Sequence, residues 1–156
     1  MMDGKFMVQA IRLAAEKSAG GSCGPFGAVV VRDGVVVGEG WNSVVEGVDP
    51  TAHAEIMAIR AACRRLGTHV LKDCVLYASC EPCPMCLSAI YWARIEAVFY
   101  ACSSADAAGA GFDDSEIYRQ VSAPAGSRSI AMTQVDREAG LAVLKAWSDN
   151  PVRKPY

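Results

Sequence analysis

Asp49-Pro50-Thr51-Ala52-His53-Ala54-Glu55 and Ser79-Cys80-Glu81-Pro82-Cys83-Pro84-Met85-Cys86 are the two stretches from which the fold is read. After Pro50-Thr51 the apolar residues Ile56, Ile59, Cys63 and Leu66 recur at helical spacing, which predicts a helix from Pro50-Thr51 through Leu66. Val75 to Ser79 is a short β-branched and aromatic run, hence a strand. From Pro84 the chain is apolar nearly all round, as in a helix packed between other elements. Both stretches therefore lead into helix starts. His53 and Glu55 are two residues apart, which on a helix sets their side chains about 160° from each other. They can serve one site only off the helix's N-terminal end, where first-turn side chains converge. Cys83 and Cys86, three apart, share a face, with Pro84 suited to the first turn.

Working outward, Asp3 is a plausible N-cap for a helix carrying Phe6, Met7, Ala10, Ile11, Ala14 and Ala15, which Gly20-Gly21 stops. Gly27 to Arg32 and Val35 to Trp41 read as strands, and Asp33-Gly34 between them is a hairpin signal because the tight turn wants positive φ. Ala97 to Cys102 is a further strand, followed by looser sequence. Asp114 to Gln120 reads as a short helix and Ala139 to Trp147 as a longer one. The order α-β-β-α-β-α-β-α predicts an α/β domain, a three-layer α/β/α sandwich with a mixed sheet. The hairpin is expected to supply antiparallel pairing and two β-α-β crossovers parallel pairing.

The 156 residues read as a single domain, 1–156, able to bury roughly two-thirds of its unfolded surface. No apolar run approaches a membrane span, and the start of the chain lacks a secretory layout, so a cytoplasmic protein is expected with no membrane partner. Seven cysteines in such a chain argue for thiols or metal ligands rather than disulfides. The net charge of −2 offers no broad basic surface for a polynucleotide. Arg60, Arg64 and Arg65 form the one basic cluster, read as a solvated helix face.

One imidazole and two thiolates suit a zinc ion. His53, Cys83 and Cys86 leave a fourth position open, as catalytic zinc requires, whereas structural zinc is closed by four ligands. Two helix N-termini aimed at one point help to hold the thiols ionised. Zinc lowers the pKa of a bound water toward about 7, and Glu55 stands where it can take that proton and pass it on. Two other readings are open. Cys80, Cys83 and Cys86 imitate the start of an iron–sulfur run, but position 90 is Ile where a fourth Cys is wanted. Cys80 could close a structural zinc site. His69 reads as solvent-facing, and Cys23, Cys63, Cys74 and Cys102 as small core residues.

On Pro25-Phe26-Gly27-Ala28, the two stretches quoted first, Ala89-Ile90-Tyr91-Trp92-Ala93-Arg94, Gly111-Phe112-Asp113-Asp114-Ser115 and the final Tyr156, the chain resembles the cytidine deaminase-like superfamily. Within it the chain looks most like the short, zinc-dependent guanine deaminases of bacteria. The resemblance covers essentially the whole length. It implies one zinc per subunit, hydrolysis of guanine at C2 to xanthine and ammonia with Glu55 moving the protons, and a side activity on ammeline. It also implies that backbone near Ala54 and Cys83 orients the reacting centre. In family members the end of the chain crosses to a partner and its terminal Tyr reaches the substrate. A domain-swapped homodimer is therefore expected, with 150–156 as the exchanged tail and Tyr156 acting in trans. Its two prolines bar the tail from regular helix.

Guanine presents N1–H and its 2-amino group as adjacent donors, so a carboxylate suits that edge. Asp114 is the candidate and Asp113 its rival; Asp113 could instead cap a helix in an Asp-x-x-Glu box with Glu116. Asn42 could bond the O6/N7 side or be a turn asparagine. Phe26 could pack on the purine or enter the core. Guanosine, tRNA adenosine and cytosine deaminases of the same fold are the rival enzymes, and a zinc-binding interaction protein is the rival of another class. A degenerate member is expected to have lost Glu55.

Overall fold

Helix α1 (Gly4–Ser18) starts where Asp3 Oδ1 accepts the Lys5 N–H at 3.1 Å, as the sequence predicts. It buries Phe6, Ala10, Leu13 and Ala14, while Ile11 of the predicted stripe stays exposed. Strands β1 (Gly27–Arg32) and β2 (Val35–Trp41) form the predicted hairpin. Asp33 and Gly34 have φ of 51° and 73°, and Arg32 lies opposite Val35. The structure is a computed structural model that describes residues 3–155. Tyr156, expected at the substrate, lies outside the described residues.

Helix α2 (Ala54–Leu66) begins four residues later than the Pro50 start expected. Asp49 is the cause: its Oδ1 accepts from Thr51 N at 2.8 Å and Thr51 Oγ1 at 2.7 Å, holding 49–51 in a turn instead of a first helical turn. Strand β3 (Cys74–Cys80), helix α3 (Pro84–Trp92) and strand β4 (Ala97–Cys102) follow. The looser sequence after β4 forms a helix the apolar pattern did not reveal, α4 (Ser104–Gly109), closed by a Ser103/Asp106 capping box. Then come α5 (Ser115–Ser122), a 3₁₀ turn at Ala125–Ser127 and α6 (Arg137–Asp149).

The sheet of the described residues runs β2-β1-β3-β4. β1 is antiparallel to both β2 and β3, and only β3 and β4 pair in parallel. Two parallel pairings were expected. The β2-α2-β3 crossover does join strands of the same direction, but β1 lies between them, so only the β3-α3-β4 crossover joins neighbours. Along β1 side chains alternate, which is why both faces are covered. Val29 and Val31 meet Phe6, Ala10 and Leu13 of α1. Ala28 and Val30 meet the α2–α3 side, with Ala58, Ala62 and Ile90. Helix α3 is not enclosed as expected: Leu87, Tyr91 and Trp92 are exposed on it.

The chain divides into two compact units, Met1–Tyr118 and Arg119–Tyr156. The layers just described belong to the first. In the second, α6 buries none of its residues, and Leu141, Leu144 and Trp147 lie exposed along one stripe. After Asn150 the chain leaves the helix in a turn, with Val152 N donating to Asn150 Oδ1 at 3.0 Å. Among the described residues no helix is long and apolar enough to cross a membrane.

Candidate active site

His53 is the N-cap residue of α2 and Cys83 that of α3, both with extended backbone and neither spending its side chain on a cap hydrogen bond. Their side chains are therefore left to point off the helix ends, and Cys86, two residues into α3 from Pro84, joins them. His53 Nδ1 lies 3.6 Å from Cys83 Sγ and 3.6 Å from Cys86 Sγ. The three donor atoms all fall within 4.8 Å of one another. Bonds of about 2.0 Å to nitrogen and 2.3 Å to sulfur at a tetrahedral angle put N and S about 3.5 Å apart. The donors are thus spaced for zinc, with three protein ligands and one direction open.

Cys80 is not part of this group. Its Sγ lies 3.5 Å from Ser103 O, and burial pushes the thiol up to about 11, which suits a neutral thiol rather than a ligand. A closed four-ligand site through Cys80, and with it the iron–sulfur reading, has no support in this geometry. Of the cysteines read as core, Cys74 is buried and Cys63 and Cys23 half-buried. Cys102 is exposed, because its end of β4 lies at the sheet edge.

Glu55, in the first turn of α2, is 7 % exposed, and its Oε2 lies 3.5 Å from Cys86 Sγ. Burial pushes its pKa up. The Cys83 hydrogen bond raises His53. The thiols act as a pair: the hydrogen bond Cys86 donates lowers Cys83, and the same bond together with burial raises Cys86. A cation held here would have to displace the thiol protons, since thiolates are the form that ligates it.

A cavity of about 260 Å³ opens beside these groups, near the small end of the range for ligand pockets. Phe26, Asn42, His53, Glu55, Cys83 and Asp114 all line it. Asn42, buried at the end of β2, accepts on Oδ1 from Gly24 N and Val44 N, each at 3.3 Å. With its oxygen committed, the NH₂ is the group it offers to a ligand. Phe26 combines its two readings, for it packs against the core and also lines the cavity. Phe112 stands edge-on to it, with ring centroids 4.9 Å apart. Ala54 has its side chain in the core, so only its backbone is available to a ligand.

Both aspartates line the cavity but differ in exposure and partners. Asp113 is exposed, accepts the Ser115 N–H at 2.9 Å at the start of α5, and has its pKa lowered by that bond. Asp114 is half-buried against the cavity, with its pKa raised first by burial and then by the Cys83 charge. Glu81, Ser104, Gly111, Phe112 and Ile117 also line the cavity without having been singled out as site residues. They come from a turn, from α4, from the chain around Gly111 (φ +94°) and, for Ile117, from α5, whose pattern marks a helix but not a cavity wall.

Residues 1–102 match the family described as the cytidine and deoxycytidylate deaminase zinc-binding region. The chain is 53 % identical over 151 residues to the guanine deaminase of Bacillus subtilis, covering 97 % of each. It superposes on the crystal structure of that protein with a TM-score of 0.96, at 52 % identity over 100 % of this chain and 99 % of the other. It is also similar to the structure of a guanine deaminase from Nitrosomonas europaea, with a TM-score of 0.68 and 29 % identity over 91 % of this chain and 72 % of that one. The tRNA-specific adenosine deaminase of Haemophilus influenzae is 41 % identical over 102 residues, 65 % of this chain and 58 % of that protein.

Proposed function

The chain belongs to the cytidine and deoxycytidylate deaminase zinc-binding family, and from that premise we propose that it is a guanine deaminase, converting guanine and water to xanthine and ammonia. The observation that carries the substrate is the pairing of Asn42 and Asp114 across one cavity. Asn42 offers only donors, which suit O6 and N7, while the Asp114 carboxylate accepts from N1–H and the 2-amino group. Adenine, with an acceptor at N1, leaves that carboxylate facing a lone pair. Phe26 and Phe112 supply an apolar wall for a flat base.

His53, Cys83 and Cys86 would hold one zinc per subunit, which would supply Lewis acidity that brings the pKa of water toward about 7. Every proton is then handled by Glu55. Its buried carboxylate accepts one proton from the attacking water and gives it to the ring nitrogen beside C2; it then takes the second proton from the new C2 hydroxyl and gives it to the departing amine, so that C2–N breaks and C2=O forms. Asp114 and Asn42 hold the ring in plane and in register while this happens.

The functional unit is a cytoplasmic homodimer with exchanged ends, in which 150–156 closes the partner's cavity and Tyr156 reaches its substrate. Three features support this. Helix α6 buries none of its residues despite an apolar stripe, α3 exposes Leu87, Tyr91 and Trp92, and β4 forms a sheet edge with Tyr100 exposed. Ammeline, which shares the amino-amide edge, is a second substrate. The variant Asn42→Asp tests the guanine edge: it keeps an acceptor for Gly24 and Val44 but places oxygen where O6 needs a donor. Its kcat/KM for guanine is expected to fall by about two orders of magnitude with zinc retained; wild-type kinetics in that variant would remove Asn42 from recognition.

A further inference from the structure

The turn that carries Cys83 is bonded to both ends of the segment that lines the far side of the cavity. At one end Glu81 Oε2 accepts the N–H of Ser104, the first residue of α4, at 2.9 Å. At the other, the Tyr118 hydroxyl of α5 donates to Pro82 O at 3.4 Å. Between these points α4 runs to the bend at Gly111, where Phe112 N donates to Ala107 O at 2.9 Å, and on to Asp114. The turn itself is fixed to the sheet, since Glu81 N donates to Cys102 O at 2.8 Å.

We propose that Glu81 is a positioning residue for guanine: with Pro82 and Tyr118 it clasps residues 104–118, setting Phe112 and Asp114 at a fixed distance from the metal ligands. Neither α4 nor α5 contains a buried residue, so polar bonds contribute to the segment's placement beside the edge-on contact of Phe112 with Phe26. A charge-assisted bond to a backbone N–H is the strongest type available for that task. Loosening it leaves His53, Glu55, Cys83 and Cys86 in place and lets the residues that read the base drift. The cost then falls on substrate binding, not on the metal or the chemical step.

The proposal rests on the guanine reading of Asp114, and a backbone-donor deletion separates the two. Ser104→Pro removes the N–H that Glu81 accepts, and Ser104→Ala, which removes only the cavity-lining hydroxyl, serves as its control. Proline is suited to the first helical position, and Ser103 at φ −82°, ψ 167° has the conformation a residue before proline needs. Steady-state kinetics with guanine, zinc content and thermal midpoint are measured for Glu81→Ala, Ser104→Pro, their double variant, Glu81→Gln and Asp114→Asn. We expect KM to rise about tenfold in Glu81→Ala and in Ser104→Pro, with kcat and zinc content close to wild type. The double variant should lose no more than either single one, because both remove the same bond. Glu81→Gln, whose amide oxygen still accepts, should recover most of the loss. Wild-type KM in Ser104→Pro beside an impaired Glu81→Ala would mean that Glu81 touches the substrate itself. Additive losses, or loss of zinc in Glu81→Ala, would overturn the clasp as well. An unchanged KM in Asp114→Asn sinks the guanine-edge reading instead, while the Glu81–Ser104 coupling still reports on the clasp.

Discussion

Glu55 and Asp114 are carboxyls whose pKa burial raises, with different consequences. For Glu55 the raised value brings a proton carrier nearer to neutral pH, where general acid–base catalysis is most efficient. Glu55→Ala should lower kcat by about 10²–10⁴-fold while leaving zinc bound, as measured by turnover and metal analysis. For Asp114 the ionised form is the one that accepts from N1–H and the 2-amino group. Guanine binding should therefore fade as pH falls through the raised pKa of Asp114, and KM should rise on that acid limb. Asp114→Asn should abolish the limb; a KM profile unchanged by the substitution would take Asp114 out of recognition. At this scale the His53-Cys83-Cys86 cluster, with Glu55 beside it, was legible in the sequence. A spacing of two or three residues at a helix start permits few geometries. Glu81 and Phe112 were not picked out as site residues, since they reach the cavity through a turn and a bend that no spacing marks.

The site stands on two helix starts, and β2 sets one of them. A Cβ at Gly40 would meet Ala54 O and Ala58 N, and one at Gly38 would meet Ala58 O and Ala62 N, so α2 lies directly on the strand. Gly27 gives α1 the same closeness on the other face, far from His53 in sequence. Gly40→Ala should cost about 1–3 kcal/mol of stability and also weaken zinc binding, because it moves the first turn that carries His53 and Glu55. Gly27→Ala should cost similar stability with zinc affinity kept. Chemical denaturation alongside competition with a chelator distinguishes them, and equal zinc affinities in the two variants would contradict the link from β2 to the metal. Strands and hairpin were readable from β-branched runs and Asp33-Gly34. The start of α2 was misplaced because the Asp49–Thr51 bonds compete with helix, and α4 was missed because a six-residue helix with no buried side chain has no apolar period.

For the whole molecule, exchanged ends make a prediction that neither subunit alone can satisfy. Glu55→Ala lacks the proton carrier, and a chain without Pro155-Tyr156 lacks the closing tail. Each should be nearly inactive, yet mixed and refolded together they should recover activity, because one site in the mixed dimer has Glu55 from one chain and Tyr156 from the other. No recovery in a mixture shown to contain the mixed dimer would place the tail in its own subunit's site. A net charge of −2 gives nucleic acid little purchase, and two of the three basic residues of α2 are engaged: Arg60 pairs with Asp49 at 3.5 Å and Arg65 donates to Val36 O at 2.8 Å. The three-layer fold was legible from element order, but the exposed faces of α3 and α6 were not, since an apolar stripe does not say what covers it.

Ammonia release by the zinc-loaded protein, with guanine, guanosine, adenine, cytosine and ammeline compared side by side, tests the central claim most directly. Release selective for guanine, lost on chelation and restored by zinc, is the predicted result. Release from adenine or cytosine in preference to guanine, or release from guanine that survives complete removal of the metal, would contradict it.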